Sequence, residues 1–303
     1  RGVPIIPCIY ERSFSFNEGL ASVLLDGKYG YVNEDGEEVI PFQYDEADDF
    51  HNGMAAVKLN GKYGFINTDG ELVVPCIYDW AISFYNNLTP VRQSWKYGYI
   101  NRKGEEVVPL IYSSADGFYE GLAMVSQDRK YGYINTEGKL VIPCIYDYAS
   151  DFSQCGLAKV SQNEKYGFIN TDGELVVPCI YDYADSFVYD DYTKVGQNYK
   201  YGIINTKGEE ILPCIYQSGW YYFNDGMVDV RQNNKFGYAN DEGELVIPCI
   251  YDSAFPFKNG YATALVYDSS NMEKTIHFID KAGNILRKFP SAFLVEWSYV
   301  KLN

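Results

Sequence analysis

The sequence predicts an all-β protein assembled from tandem repeats. One motif returns every 34 or 35 residues, and its copies consist of short runs rich in aromatic and β-branched residues. No stretch of useful length carries a helical period. Repeats of this size bury their apolar faces against their neighbours, because one unit alone is too small to make a core. The period is set by Tyr29-Gly30, Tyr63-Gly64, Tyr97-Gly98, Tyr131-Gly132, Tyr166-Gly167, Tyr201-Gly202 and Phe236-Gly237, with a degenerate eighth copy at Ile276-His277.

The copy from Gly156 to Phe187 shows the elements in order. Leu157 to Gln162 alternates in part between apolar and polar, the period of a half-buried strand. Asn163-Glu164 is a short polar connection, and Lys165 to Asn170 gives a second strand of aromatic and β-branched types. Thr171-Asp172-Gly173 closes a hairpin whose glycine recurs at Gly36, Gly70, Gly104, Gly138, Gly208, Gly243 and Gly283, as a turn needing positive φ requires. A third strand, Glu174 to Val177, is expected to stop at Pro178, which has no N–H to give to a ladder. Cys179 to Phe187 follows as a fourth short strand or an ordered corner.

Two architectures suit such units: an eight-bladed β-propeller-like ring, or an open β-solenoid or superhelix of stacked hairpins. The ring is favoured because Val3-Pro4-Ile5-Ile6 reads as a leftover third strand, able to pair with the last unit, which Asn284-Ile285-Leu286-Arg287 completes. A unit of this length is short beside the roughly 40–45 residues of familiar blades. Residues 1–303 are expected to form a single repeat domain, the last copy degenerate over 254–288. The chain opens inside a repeat, so the natural protein is expected to extend further.

The consensus Gly-Leu-Ala-x-Val, then Lys-Tyr-Gly-Tyr-Ile-Asn-x-x-Gly-Glu-x-Val-Ile-Pro-x-x-Tyr-Asp-x-Ala-x-x-Phe, resembles the bacterial WG (or KWG) repeat family. The resemblance runs from about Pro4 to Leu286. Members of that family usually carry Trp where this chain has Tyr29, Tyr63, Tyr97, Tyr131, Tyr166, Tyr201 and Phe236. The resemblance implies a β-repeat fold and supplies no catalytic motif to carry over.

Net charge is −16, from 25 Lys and Arg against 41 Asp and Glu. That field repels phosphate backbones and anionic lipid, and no basic patch offsets it, so no nucleic-acid partner is expected. No run of about 18 apolar residues is present, so insertion into a membrane is not expected either. Cys8, Cys76, Cys144, Cys179, Cys214 and Cys249 share one slot of the repeat, where other copies carry Phe42-Gln43 or Leu110-Ile111. Successive copies of one slot lie too far apart for a disulfide, and the chain has 2 histidines, so the slot reads as a small buried hydrophobe and no metal or cofactor is expected. Cys155, in a loop, reads as a free thiol.

Asp45, Asp79, Asp147, Asp182 and Asp252 also share a slot. Acid–base catalysis needs carboxylates in unequal surroundings, so identical placement points to a structural task such as accepting N–H bonds from turns. The Asn-x-Asp-Gly turns resemble calcium loops faintly, but Lys103 and Lys207 occupy equivalent turns. No nucleophile elbow or phosphate loop is present. The chain is therefore expected not to be an enzyme; a hydrolase using Val188-Tyr189-Asp190-Asp191 ranks last because no second catalytic group stands beside that stretch.

What varies between copies is a set of aromatic residues. Trp80, Tyr85, Trp95, Tyr148, Tyr183, Tyr189, Trp220 and Tyr221 are the candidate binding surface, since the variable loops of a repeat array are where partners bind. The expected function is a binding or scaffolding module for a protein or peptide. The alternative is a carbohydrate- or cell-surface-binding module presenting Trp80, Trp95 and Trp220.

Overall fold

The computed structural model describes residues 9–13, 15–187, 191–217, 222–268 and 273–290, and Val3–Ile6 lies outside them. Every described regular element is a β-strand. The strands group into two compact units. The first holds the described residues through Phe152 together with Thr171–Gly173, and the second holds Ser153–Asn170 with those from Glu174 onward.

Within each unit the strands form small antiparallel meanders. In the second repeat Glu46–Ala47, Met54–Leu59, Lys62–Asn67 and Leu72–Tyr78 make one four-stranded sheet, and Trp80–Ala81 begins the next by pairing with Leu88–Gln93. The second unit repeats the pattern with Tyr183–Ala184, Tyr192–Gln197, Lys200–Asn205 and Glu210–Tyr216. The segment after Tyr-Asp is thus a two-residue strand that opens the following sheet.

The third strand does not stop at its proline, as the sequence suggested. Leu72–Tyr78 and Leu175–Tyr181 run straight through Pro75 and Pro178. The ladder accommodates them by a register shift: Phe65 faces Val74 while Tyr63 faces Tyr78. An interruption of this kind leaves the proline without an N–H to satisfy. It also explains the glycine after each ring. A Cβ on Gly64 would lie 2.5 Å from the Val74 carbonyl oxygen, and on Gly132 2.4 Å from that of Ile142. The bulged strand presses so closely on its neighbour that only a hydrogen fits there.

The core lies between successive sheets. In the first unit Tyr31, Ile40 and Tyr44 pack on Phe50, Ala55, Val57 and Ile66 of the next repeat; in the second, Tyr238, Ile247 and Tyr251 pack on Phe257, Ala262, Ala264 and Ile279. Five repeats add a ring pair: Tyr31–Phe50, Phe65–Phe84, Tyr133–Phe152, Phe168–Phe187 and Tyr238–Phe257 have centroids 4.8–4.9 Å apart. The buried tyrosine hydroxyls give their protons to main-chain carbonyls, Tyr31 to Asp48 at 2.6 Å and Tyr99 to Asp116 at 2.7 Å. Desolvation holds their pKa values well above the ordinary phenol range.

The cysteine slot is half-buried rather than buried, with Cys76, Cys144, Cys179, Cys214 and Cys249 all free thiols. Burial raises their pKa values, which leaves the thiol form in command at neutral pH. Cys155 is free and exposed.

Candidate functional site

The shared aspartates do structural work. Asp45 takes the Lys28 ammonium on one carboxylate oxygen and the Gly61 N–H on the other at 3.0 Å; Asp79 does so with Lys62 and Ser94, and Asp182 with Lys165 and Asn198. Each therefore ties a lysine seventeen positions earlier to a hairpin turn sixteen or so positions later. The lysine first, and the turn N–H second, hold these carboxyls below the ordinary range. Both oxygens are occupied, so none of the three is poised for acid–base chemistry. Among the described residues no group of three or more His, Cys, Asp or Glu gathers as a metal would need.

Two clefts are formed by the described residues, one in each unit. The first has a volume of about 430 Å³ and lies where the corners of the second and third repeats meet. It is lined by Asp48, Asp49, Ser22 and Ser83 together with His51 and Tyr85, whose rings lie 4.5 Å apart. The Asn52 amide fixes the rim by donating to the Phe84 and Tyr85 carbonyls at 3.3 and 3.2 Å. Ser22 donates to Asp49 at 3.4 Å, and the buried Ser83 is held by the Ala56 N–H at 3.0 Å. Asp48 remains open to solvent at the rim. Its carboxyl is nonetheless held above the ordinary value, first by desolvation against the cleft wall and then by the Asp49 charge. Among the described residues neither Asp48 nor Asp49 forms an ion pair with a lysine or arginine.

The second cleft, of about 440 Å³, lies in the sixth repeat and is lined by Tyr183, Gly196, Gln197, Asn198, Tyr199, Lys200, Tyr201 and Asp182. Tyr183, Gly196 and Tyr201 are direct cross-strand neighbours. With no side chain on Gly196, the two rings meet edge to face at 5.8 Å. The Lys194 ammonium sits 4.7 and 5.3 Å from their centroids.

The aromatic residues singled out by sequence thus fall into different settings. Tyr85 belongs to the first cleft and Tyr183 to the second. Trp95 is 82% exposed at a hairpin tip, whereas Trp80 is half-buried against Tyr97 with centroids 5.8 Å apart. Tyr148 is exposed on its short strand. Tyr189, Trp220 and Tyr221 lie outside the described residues, as does most of the Val188–Asp191 stretch. Sequence reasoning missed Asp48, Asp49 and His51. Their signal was available: two adjacent carboxylates stand where other copies carry Ile82-Ser83, Asp116-Gly117 or Phe255-Pro256.

A family model described as "WG containing repeat" matches eight consecutive segments, residues 2–29, 29–63, 63–94, 97–131, 131–166, 166–201, 201–236 and 236–267. No curated protein is similar to the chain in sequence. Among solved structures, one described as a eukaryotic initiation factor is similar over 96% of this chain and 89% of its own, at 10% identity and a TM-score of 0.39. Hsv2 from Kluyveromyces lactis is similar over 90% and 95%, at 7% identity and a TM-score of 0.34. No helix among the described residues is long and apolar enough to cross a membrane.

Proposed function

The chain belongs to the WG-repeat family, and from that premise we propose that it is a non-enzymatic binding module whose first cleft takes a basic side chain of a protein or peptide partner. The observation that carries this reading is the pairing of Asp48 and Asp49, without an ion-paired lysine or arginine among the described residues, beside the tilted rings of His51 and Tyr85. A guanidinium entering the cleft meets two carboxylates able to accept bidentate hydrogen bonds and a ring face able to receive the cation. Scaffold serines orient the carboxylates before the partner arrives, which lowers the cost of ordering on binding. The regular framework supports the same reading: corners that differ between repeats sit on sheets that do not. The carboxylates lie at adjacent positions of one corner, and the hydroxyls of Ser22 and Ser83 are engaged by Asp49, by Asp48 and by the Ala56 N–H rather than by His51.

The test uses fluorescein-labelled nonapeptides, one arginine-rich and one glutamate-rich, titrated into the intact chain and into Asp48→Asn/Asp49→Asn and Tyr85→Ala variants. The arginine-rich peptide is expected to bind the parent and to lose at least about tenfold in affinity, roughly 1.4 kcal/mol, in each variant. Equal binding of the two peptides, or full affinity in the double variant, overturns the reading.

A further inference from the structure

We propose that the cleft of the sixth repeat is a saccharide subsite selective for a sugar residue that bears a carboxylate, such as a uronic acid. This inference is independent of the first cleft.

Three features of one repeat converge. The first is a ring at the hairpin tip. Most turns between the first and second strands are built from small or polar residues, such as Asp26-Gly27, Asn60-Gly61 and Asn163-Glu164. Ser94-Trp95 and Asn198-Tyr199 instead put an aromatic ring there, and Tyr199 is 95% exposed. The second is the aromatic pair behind the tip, Trp80–Tyr97 in the third repeat and Tyr183–Tyr201 in the sixth. In the third repeat the cross-strand residue between the rings is Arg92, whose guanidinium lies 5.3 Å from Trp95 and 5.8 Å from Tyr97. In the sixth it is Gly196, over which the Tyr201 ring closes, a Cβ there lying 3.0 Å from that ring, and the cleft opens beside the pair along the Gln197–Lys200 hairpin.

The third feature is a lysine released from its usual partner. Lys28, Lys62, Lys130, Lys165 and Lys235 each pair with the aspartate of the shared slot. In the two repeats with an aromatic tip that aspartate is gone. Ser113 replaces it for Lys96, whose ammonium turns to the Ile111 carbonyl at 3.3 Å. Gln217 replaces it for Lys200, and the Gln217 amide oxygen is taken by the Asn234 N–H at 2.9 Å. Among the described residues Lys200 has no carboxylate partner. Asp182 also lines the cleft, but Lys165 and the Asn198 N–H occupy both of its oxygens.

The exposed Tyr199 ring suits the C–H face of a pyranose, and its rigidity keeps the entropy cost of contact low, while Lys194 packs on Tyr183 and Tyr201 behind it. The Asn198 side-chain amide is available to sugar hydroxyls, and Lys200 supplies a charge-assisted bond to a carboxylate. The cleft is open and mixes Asn198, Gln197 and Lys200 with its aromatic rings rather than forming a deep apolar slot, which favours a sugar over an apolar side chain.

Calorimetric titration of the intact chain with trigalacturonate and with its methyl ester provides the test. The free acid is expected to bind at least about tenfold more tightly than the ester. Tyr199→Ala and Lys200→Gln, both substitutions at accessible positions, should each weaken the acid about tenfold or more with an unchanged circular dichroism spectrum. Asp48→Asn/Asp49→Asn, which disables the first cleft, should leave saccharide binding intact. Absence of heat with the acid, equal affinity for acid and ester, retention of full affinity in both sixth-repeat variants, or loss of saccharide binding in the first-cleft variant would each overturn the proposal.

Discussion

A glycine at Gly64 and one at Gly61 look alike in sequence and carry different physics. A Cβ at Gly64 runs into main chain on the bulged third strand, at 2.5 Å from an oxygen and 2.8 Å from a nitrogen. Neither atom can move without breaking the ladder. At Gly61 a Cβ meets open space, but the residue has φ +79°, so a side chain there costs about 1 kcal/mol of backbone strain. Gly64→Ala is therefore expected to destabilise the fold by about 3 kcal/mol or more, against about 1 kcal/mol for Gly61→Ala, as read from urea midpoints. Equal losses would refute the close-approach account. The pairing of Asp45, Asp79 and Asp182 gives a second expectation at this scale. Their carboxyls are held below the ordinary value in the folded chain. The stability they contribute is thus fully present above the unfolded-state value and disappears as pH falls through the lowered folded-state value. The urea midpoint should drop between pH 7 and pH 3. The Asp45→Asn/Asp79→Asn variant should start lower at pH 7 and show a smaller drop; an unchanged drop would mean that other groups govern acid sensitivity.

At the scale of one hairpin, the turn between second and third strands is held by a single side chain. The Asn67 side-chain oxygen accepts the Asp69 and Glu71 N–H groups at 3.1 and 2.8 Å, and Asn33, Asn101 and Asn205 repeat the device. Asn67→Ala should cost about 1 kcal/mol per lost bond before water compensates, seen as a lower thermal midpoint, whereas Thr68→Ala in the same turn should be nearly silent. These turns were legible in the sequence because local rules decide them: Asn, then glycine at positive φ, then a β-branched run. The shared aspartates were legible for the same reason, since a slot repeated in register points to the scaffold. Pro178 was misread because a proline inside a strand is tolerated only where the partner strand yields, and that depends on Gly167 across the sheet. The clefts were legible only in part. Tyr85 and Tyr183 could be named as exceptions to the repeat, but the contact of Tyr85 with His51 needs two successive corners laid side by side. Lys200 could have been found from Gln217 standing in the aspartate slot.

Over the whole molecule the net charge of −16 sets a field that every ligand must cross. It acts in opposite directions on the two proposed ligands. A basic peptide is drawn toward the chain, so its association rate should be fast at low salt and fall as ions screen the field, with the Debye length shrinking from about 30 Å at 0.01 M to about 8 Å at 0.15 M. A uronate approaches against the same field and binds only because Lys200 supplies a local positive charge. Screening removes the long-range repulsion sooner than it weakens that short contact. Raising salt from 10 to 150 mM is therefore expected to slow association of the arginine-rich peptide several-fold and to speed that of trigalacturonate, both followed by stopped-flow fluorescence. Slopes of the same sign for the two ligands would show that charge on the chain as a whole does not steer either encounter. The Lys200→Gln variant separates the two ranges: with the local cation removed, the saccharide should keep its positive salt dependence while losing affinity. A slope that vanished with Lys200 would place the whole electrostatic effect at that one side chain.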